Sequence, residues 1–254
     1  MKTTNHTALI TGGGSGIGLA LAQLLSENGN RVIITGRNEQ RLQQAAAQVP
    51  GATALACDVT DAAAVAGLVQ RIEADFGGLS LLINNAGQAS AYELRPGADA
   101  FRKAEAEIQT NYLAPIRLTE ALLPVLQRQP EAAVVNVSSI GAFVPAAAIP
   151  TYSASKAAVH AYTQALRHTL RQHAPSVRVF ELMPPLVDTA FSAEIGGAHG
   201  IPPRQVAEEF LAALARDVYE IHVGQTAGFY QLFRADPAQA FAVMNSTLRA
   251  AEAQ

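Results

Sequence analysis

Thr7-Ala8-Leu9-Ile10-Thr11-Gly12-Gly13-Gly14-Ser15-Gly16-Ile17-Gly18 opens with a short apolar run, turns through a glycine cluster and enters a helical pattern that runs from Leu19 through Glu27 to Asn28-Gly29. Strand, glycine turn and helix in that order make the setting a phosphate-binding turn requires. Glycines let the backbone come close to a pyrophosphate, while the helix start offers free N–H groups and the positive end of its dipole. The common dinucleotide spacing is G-x-G-x-x-G. Here the positions that count are Gly12, Gly16 and Gly18, and the alternative is a merely flexible loop at a strand end.

The neighbouring segments repeat the pattern. Arg31–Thr35, Thr53–Cys57, Leu79–Ile83, Ala132–Val137 and Val177–Leu182 are apolar runs, each followed by a helical stretch or a turn into one. Continuous apolar strands alternating with helices predict a parallel sheet covered on both faces. The expected fold is therefore α/β, a doubly wound parallel sheet of about seven strands, in a single domain over 1–254. Ligands of such sheets lie at the carboxyl ends of the strands. Thr11, Arg37, Asp58, Asn85 and Gly87 all fall there.

At the end of the second strand an NAD site usually places an acidic residue for the ribose 2′-hydroxyl. Gly36-Arg37-Asn38 supplies none, and Arg37 is a cation suited to a 2′-phosphate; NADP(H) is thereby favoured over NAD(H). The chain has 254 residues, a net charge of -3, 49% hydrophobic and 15% charged residues, and one cysteine, Cys57. That balance predicts a globular chain with no nucleic-acid surface. A single cysteine excludes an internal disulfide or a multi-cysteine metal site, and the six histidines show no ligand spacing, so no metal is expected. No apolar run reaches spanning length and no leader precedes the first strand, from which a cytoplasmic protein is expected.

Tyr152-Ser153-Ala154-Ser155-Lys156 places a phenol and an ammonium one turn apart on a helix face. A fixed cation would move the phenol towards working pH. A helix carrying a Tyr and a Lys at this spacing is common, so the pair alone decides nothing. A long helix is predicted from about 99 to 127, kinked near Asn111 by Pro115. Asn111 either holds water or a backbone group at a site or is solvated on an exposed face. Strand five delivers Ser138-Ser139, thirteen residues before Tyr152 in the case of Ser139.

Together Thr11-Gly12, Gly16-Ile17-Gly18, Asn84-Asn85-Ala86-Gly87, Asn111, Ser139 and Tyr152 with Lys156 resemble the short-chain dehydrogenase/reductase (SDR) family over nearly the whole chain. Ile140–Pro145, Met183–Thr189 and Met244-Asn245 are similar to its DltE-like branch, whose substrates are poorly defined. The resemblance implies a Rossmann fold and catalytic roles for Asn111, Ser139, Tyr152 and Lys156. Tyr152 would be the general acid/base, Lys156 would lower its pKa, Ser139 would donate to the substrate oxygen, and Asn111 would hold a relay water. It also implies cofactor contacts from Gly12, Gly14, Ser15, Gly16, Ile17, Arg37, Asp58, Val59, Asn85, Ala86, Gly87, Tyr152, Lys156, Pro184, Val187 and Thr189. Pro185 stands where the family commonly has glycine, which stiffens that turn.

The expected activity is an NADP(H)-dependent oxidoreductase, a carbonyl reductase or alcohol dehydrogenase acting on a small carbonyl or alcohol. The alternative is a non-catalytic NADP-binding regulator or scaffold. Residues about 190–203, with three glycines, read as a substrate lid. An amphipathic helix is expected over 203–219, a last strand over 220–224 and a C-terminal helix over about 237–251. His160 and His168 read as ordinary helix-face residues, and Ser138 as a residue that shapes the strand end. Small residues Ala154, Ala157, Ala158 and Ala161 fit a homodimer or homotetramer, or close internal packing.

Overall fold

The computed structural model describes residues 1–251; 252–254, the last residues of the predicted single-domain span, lie outside them. The Val-, Ile- and Leu-rich runs form seven strands: β1 (Thr7–Thr11), β2 (Arg31–Gly36), β3 (Thr53–Ala56), β4 (Leu81–Asn84), β5 (Ala132–Val137), β6 (Val177–Met183) and β7 (Glu220–His222). They make one sheet in the order β3-β2-β1-β4-β5-β6-β7, and every pairing is parallel. Parallel neighbours need crossovers, and these are α1 (Gly16–Glu27), α2 (Glu39–Ala46), α3 (Ala62–Phe76), α4 (Ala100–Ile108), α5 (Ala114–Gln127), α6 (Pro150–His173) and α7 (Pro203–Ala215).

Side chains alternate across each strand, so the sheet has two cores. Ala8, Ile10, Val32, Ile34, Leu81, Ile83 and Phe180 pack under α1, α2 and α7. Leu9, Ile33, Leu82, Val134 and Val179 pack on the other face, against α3 and α5. This is the predicted doubly wound architecture. Chain order reverses between β1 and β4, which opens a crevice at their carboxyl ends. The Thr11 hydroxyl ties the crevice shut at its base, accepting from the N–H groups of Asn85 and Ala86 at 2.9 Å each.

Three elements differ from expectation. The helix predicted over 99–127 is α4 and α5 joined by one π turn, Gln109–Leu113. Pro115 has no N–H to give the Asn111 carbonyl, and the extra residue of a π turn absorbs the mismatch. The helix predicted over 203–219 stops at Ala215 because Asp217 takes a left-handed φ of 54°. Between β7 and the expected C-terminal helix stands another, α8 (Thr226–Ala235), followed by α9 (Pro237–Ala251). Phe229, Tyr230 and Phe233 of α8 and Met244 of α9 close a third apolar cluster over Ile140, Phe143, Val144 and Met183. The segment read as a lid is two 3-10 turns, Ala190–Ile195 and Gly197–His199, closed at its base by a bridge between Val187 and Ile201.

Candidate active site

The glycine turn leaves β1 with Gly12 at φ 65° and enters α1 through Gly16 at φ 53°, both left-handed. A Cβ on Gly12 would stand 3.0 Å from the Ala86 backbone, and one on Gly18 would stand 2.3 Å from the Gly12 carbonyl. The close approach is therefore built from backbone alone. Ser15 starts α1 without a side-chain cap, so the first N–H groups of the helix face the crevice unclaimed by their own chain. An open helix start under a turn that side chains cannot fill fits a pyrophosphate.

Two adjoining cavities of about 230 and 180 Å³ share Gly12, Ser15, Ala86 and Gly87. The first is lined further by Gly14, Arg37, Asp58 and Val59, together with Asn38, Arg41 and Thr110, which sequence reasoning missed. Arg41 was legible as a second cation four residues past Arg37. Burial would raise the Asp58 carboxyl, but Thr60 donates to it from both N–H and hydroxyl, at 2.9 and 2.7 Å, and Arg37 adds its charge; the net position is below the ordinary value. The second cavity is lined by Gly16, Ile17, Asn85, Tyr152, Lys156, Pro184 and Thr189, with Ala190 and Phe191 over them.

Of the predicted residues, Asn111, Ser139 and Val187 do not line the cleft. Asn111 is buried behind its wall, which removes the solvated-face alternative. Its amide donates to the Gln88 carbonyl and the Ser155 hydroxyl at 2.8 Å each, and its Oδ1 accepts from Gln88 N–H at 2.8 Å. The π turn therefore braces the loop after β4 against α6. Ser139 caps a 3-10 turn, Ile140–Ala142, and its Oγ accepts from Gly141 N–H at 3.1 Å, which leaves its proton to donate. Val187 is buried, and its carbonyl accepts from the Ser192 hydroxyl at 2.5 Å, fixing the base of the 190–203 segment.

Tyr152, Lys156 and His160 form one stripe of α6 at four-residue spacing. The Tyr152 ring lies 6.0 Å from that of Phe191, and the Lys156 ammonium 5.6 Å from the centre of the Tyr152 ring. Lys156 donates to the Val137 carbonyl at 2.7 Å. The expected lowering of the phenol by Lys156 does not describe this site. Burial pushes Tyr152 up to about 12, against a hydrogen bond with Ser139 and with help from the Glu107 carboxylate. Burial also brings Lys156 down to about 8, with Glu181 pulling the other way.

Two buried carboxylates had no signal in the sequence. Glu107 accepts from Ser90 N–H at 2.7 Å through one oxygen, and its other oxygen has no partner among the described residues. Glu181 of β6 accepts from the Ser138 hydroxyl at 2.5 Å and meets His160 Nδ1 at 2.9 Å. His160 is thus not an ordinary face residue, and Ser138 holds a partner rather than the strand end alone.

Comparison with known proteins sets this geometry in company. Residues 6–199 match a family model described as short chain dehydrogenase. The chain is 39% identical over 251 residues to the uncharacterized oxidoreductase DltE of Bacillus subtilis (strain 168), covering 97% of this chain and 99% of that protein. It is 34% identical over 218 residues to an uncharacterized oxidoreductase of Staphylococcus aureus (strain USA300), covering 84% and 92%. Among solved structures it is similar to a short chain dehydrogenase from Burkholderia cenocepacia J2315 in complex with NADP, with a TM-score of 0.85, 29% identity and coverage of 96% and 99%. A short chain dehydrogenase/reductase from Burkholderia phymatum in complex with NAD shares the fold, with a TM-score of 0.81 at 23% identity over 87% and 89%.

Proposed function

The chain belongs to the short-chain dehydrogenase family of oxidoreductases, and on that premise we propose that it is an NADP(H)-dependent enzyme interconverting a small carbonyl compound and its alcohol. The observation that carries this reading is a cleft lined at one end by Tyr152 and Lys156, with Ser139 hydrogen-bonded to Tyr152 behind the lining, and at the other end by Arg37. A bound nicotinamide dinucleotide supplies or accepts the hydride.

The residues that would hold it are the backbone of Gly12, Gly14, Ser15, Gly16 and Ile17 at the start of α1, with Asp58, Val59, Asn85, Ala86 and Gly87 along the cleft. Pro184 and Thr189 would hold its far end, with Tyr152 and Lys156 beside them, and Val187 would act from behind by fixing the segment over them. The guanidinium of Arg37, with Arg41 lining the same cavity, supports a 2′-phosphate and so NADP(H).

Tyr152 is the general acid of carbonyl reduction. A phenol raised to about 12 keeps its proton at neutral pH and has it ready for a substrate oxygen. Ser139, hydrogen-bonded with Tyr152, donates its hydroxyl proton to the same oxygen once substrate is bound and stabilises the charge that develops there. Lys156 keeps a positive charge beside the phenol, and Asn111 holds the wall behind it so that a relay water has a fixed neighbour. Phe191 and Pro184 give the substrate end an apolar lining, which supports a small uncharged substrate. The exposed alanines Ala154, Ala157 and Ala161 along α6 support self-association through that helix.

The test is fluorescence titration with NADPH and NADH, followed by an aldehyde and ketone screen of native protein and Tyr152→Phe. Tight NADPH binding, and turnover that the variant loses while still binding cofactor, is the expected result. A variant that behaves as the native protein would restore the scaffold reading.

A further inference from the structure

We propose that Ser138, Glu181 and His160 are positioning residues for Ser139: through a buried carboxylate, α6 clamps the end of β5 on which that serine stands. The clamp matters to turnover only through Ser139, and so rests on the role proposed for that residue.

Glu181 is fully buried in the middle of β6. A lone carboxylate there would be costly, and buried charges persist when paired and hydrogen-bonded. Its Oε1 accepts the Ser138 proton at 2.5 Å, and Oε1 and Oε2 lie 3.1 and 2.9 Å from His160 Nδ1. A neutral ring protonated on Nδ1 donates to Glu181 as a charged one does, and leaves Nε2 to accept from the Gln164 amide at 3.2 Å. The link from α6 to Ser138 therefore holds in either charge state of His160.

The helix grips the same strand end at two more points. Lys156 donates to the Val137 carbonyl at 2.7 Å, and Asn136 Nδ2 donates to the Thr163 hydroxyl at 2.9 Å. Asn136, Val137 and Ser138 are thus tied to α6 one after another. Tyr152 belongs to the same helix, so these ties set how the strand end stands against its phenol. The next residue is Ser139, extended at φ -172° and ψ 161°, with Tyr152 as a hydrogen-bond partner. Of the three ties, that of Ser138 lies one peptide bond from Ser139 and is the only one made by a side chain so close to it. The Ser138 proton is committed to Glu181, which fixes the hydroxyl and with it the path of the chain into Ser139. Both serines are almost fully buried, so neither has water to replace a lost partner.

The Gly141 amide reports on Ser139 without cofactor or substrate, because Ser139 Oγ accepts its N–H at 3.1 Å. In isotope-labelled protein, Ser139→Ala gives the position of the Gly141 resonance once that bond is lost. Ser138→Ala, which leaves the Glu181–His160 pair intact, and His160→Leu should each move the resonance towards that position. His160→Asn should return it, by restoring a donor where Nδ1 stands. In turnover, Ser138→Ala and His160→Leu should each lower kcat by about tenfold and leave NADPH affinity unchanged. In a Ser139→Ala background the same substitutions should cost almost nothing more, since they act through the group already removed. A general loosening of the fold would instead multiply with the loss of Ser139. Losses that multiply, or a Gly141 resonance unmoved in the folded variants, would overturn the proposal; Ser138→Ala answers alone if His160→Leu does not fold. An unmoved resonance in a protein that reduces carbonyls would sink this inference alone. A moved resonance in a protein with no such activity would sink the functional reading and leave the geometry of the clamp intact.

Discussion

One oxygen separates Tyr152 from phenylalanine, and the proposed chemistry hangs on it. Tyr152→Phe should cut carbonyl reduction by about 10²- to 10⁴-fold, the usual worth of a positioned acid, and leave NADPH affinity close to native. Steady-state kinetics with parallel binding measurements check this. The pH profile follows from the same stripe. The cation of Lys156 is fully present only well below pH 8 and is lost as pH rises through about 8, whereas the Tyr152 proton stays until about 12. Reduction should therefore fall above about pH 8 with a single limb, and a limb that tracks the tyrosine instead would contradict the assignment. At the other end of the cleft, Arg37→Ala should weaken NADPH by about tenfold or more, the loss of one charged hydrogen bond, and change NADH little. Equal effects on both cofactors would remove Arg37 from the 2′-phosphate.

Among the elements, α9 was expected from the sequence but its task was not. Asn245 donates to the Pro145 carbonyl at 3.1 Å and accepts from Ala147 N–H at 2.7 Å, which ties the helix to the loop that leads into α6. Tyr152 stands only two residues inside that helix. Asn245→Ala should loosen residues 145–149 at a cost of about 1 kcal/mol per lost bond. Hydrogen exchange at Ala147 should quicken, kcat should fall and the melting temperature should drop by a few degrees. If Ala147 stays protected, α9 does not position this loop. The π turn is the counterpart on the other wall, where Pro115 and Asn111 together shape a break that propensity alone could locate only as a kink.

The whole molecule is a seven-stranded parallel sheet whose reversal between β1 and β4 puts every proposed contact on one rim. Among the described residues no helix is long and apolar enough to cross a membrane. The exposed small side chains of α6 lie on the same helix as Tyr152 and Lys156, so self-association through this face would bear on the site. On the proposed self-association, Ala157→Arg should sediment as a smaller species than the native protein. An unchanged profile would place the interface elsewhere or remove it.

The sequence by itself determined the sheet, its helices and the glycine turn, because strand and helix periods and glycine punctuation are local properties of the chain. Its resemblance to the short-chain dehydrogenases also singled out Tyr152, Lys156, Ser139 and Asn111 as candidates. Other features arose only in three dimensions. Glu181 reads in the sequence as one polar residue within an apolar strand, and its meeting with Ser138 and His160 depends on how β5, β6 and α6 pack. The upward shift of Tyr152 likewise belongs to burial, a sum over residues distant in sequence. The cover made by α8 and α9 over the strand ends depended on which apolar faces remained open once the sheet had formed. Local pattern writes the elements, and tertiary packing decides which charges they bury together.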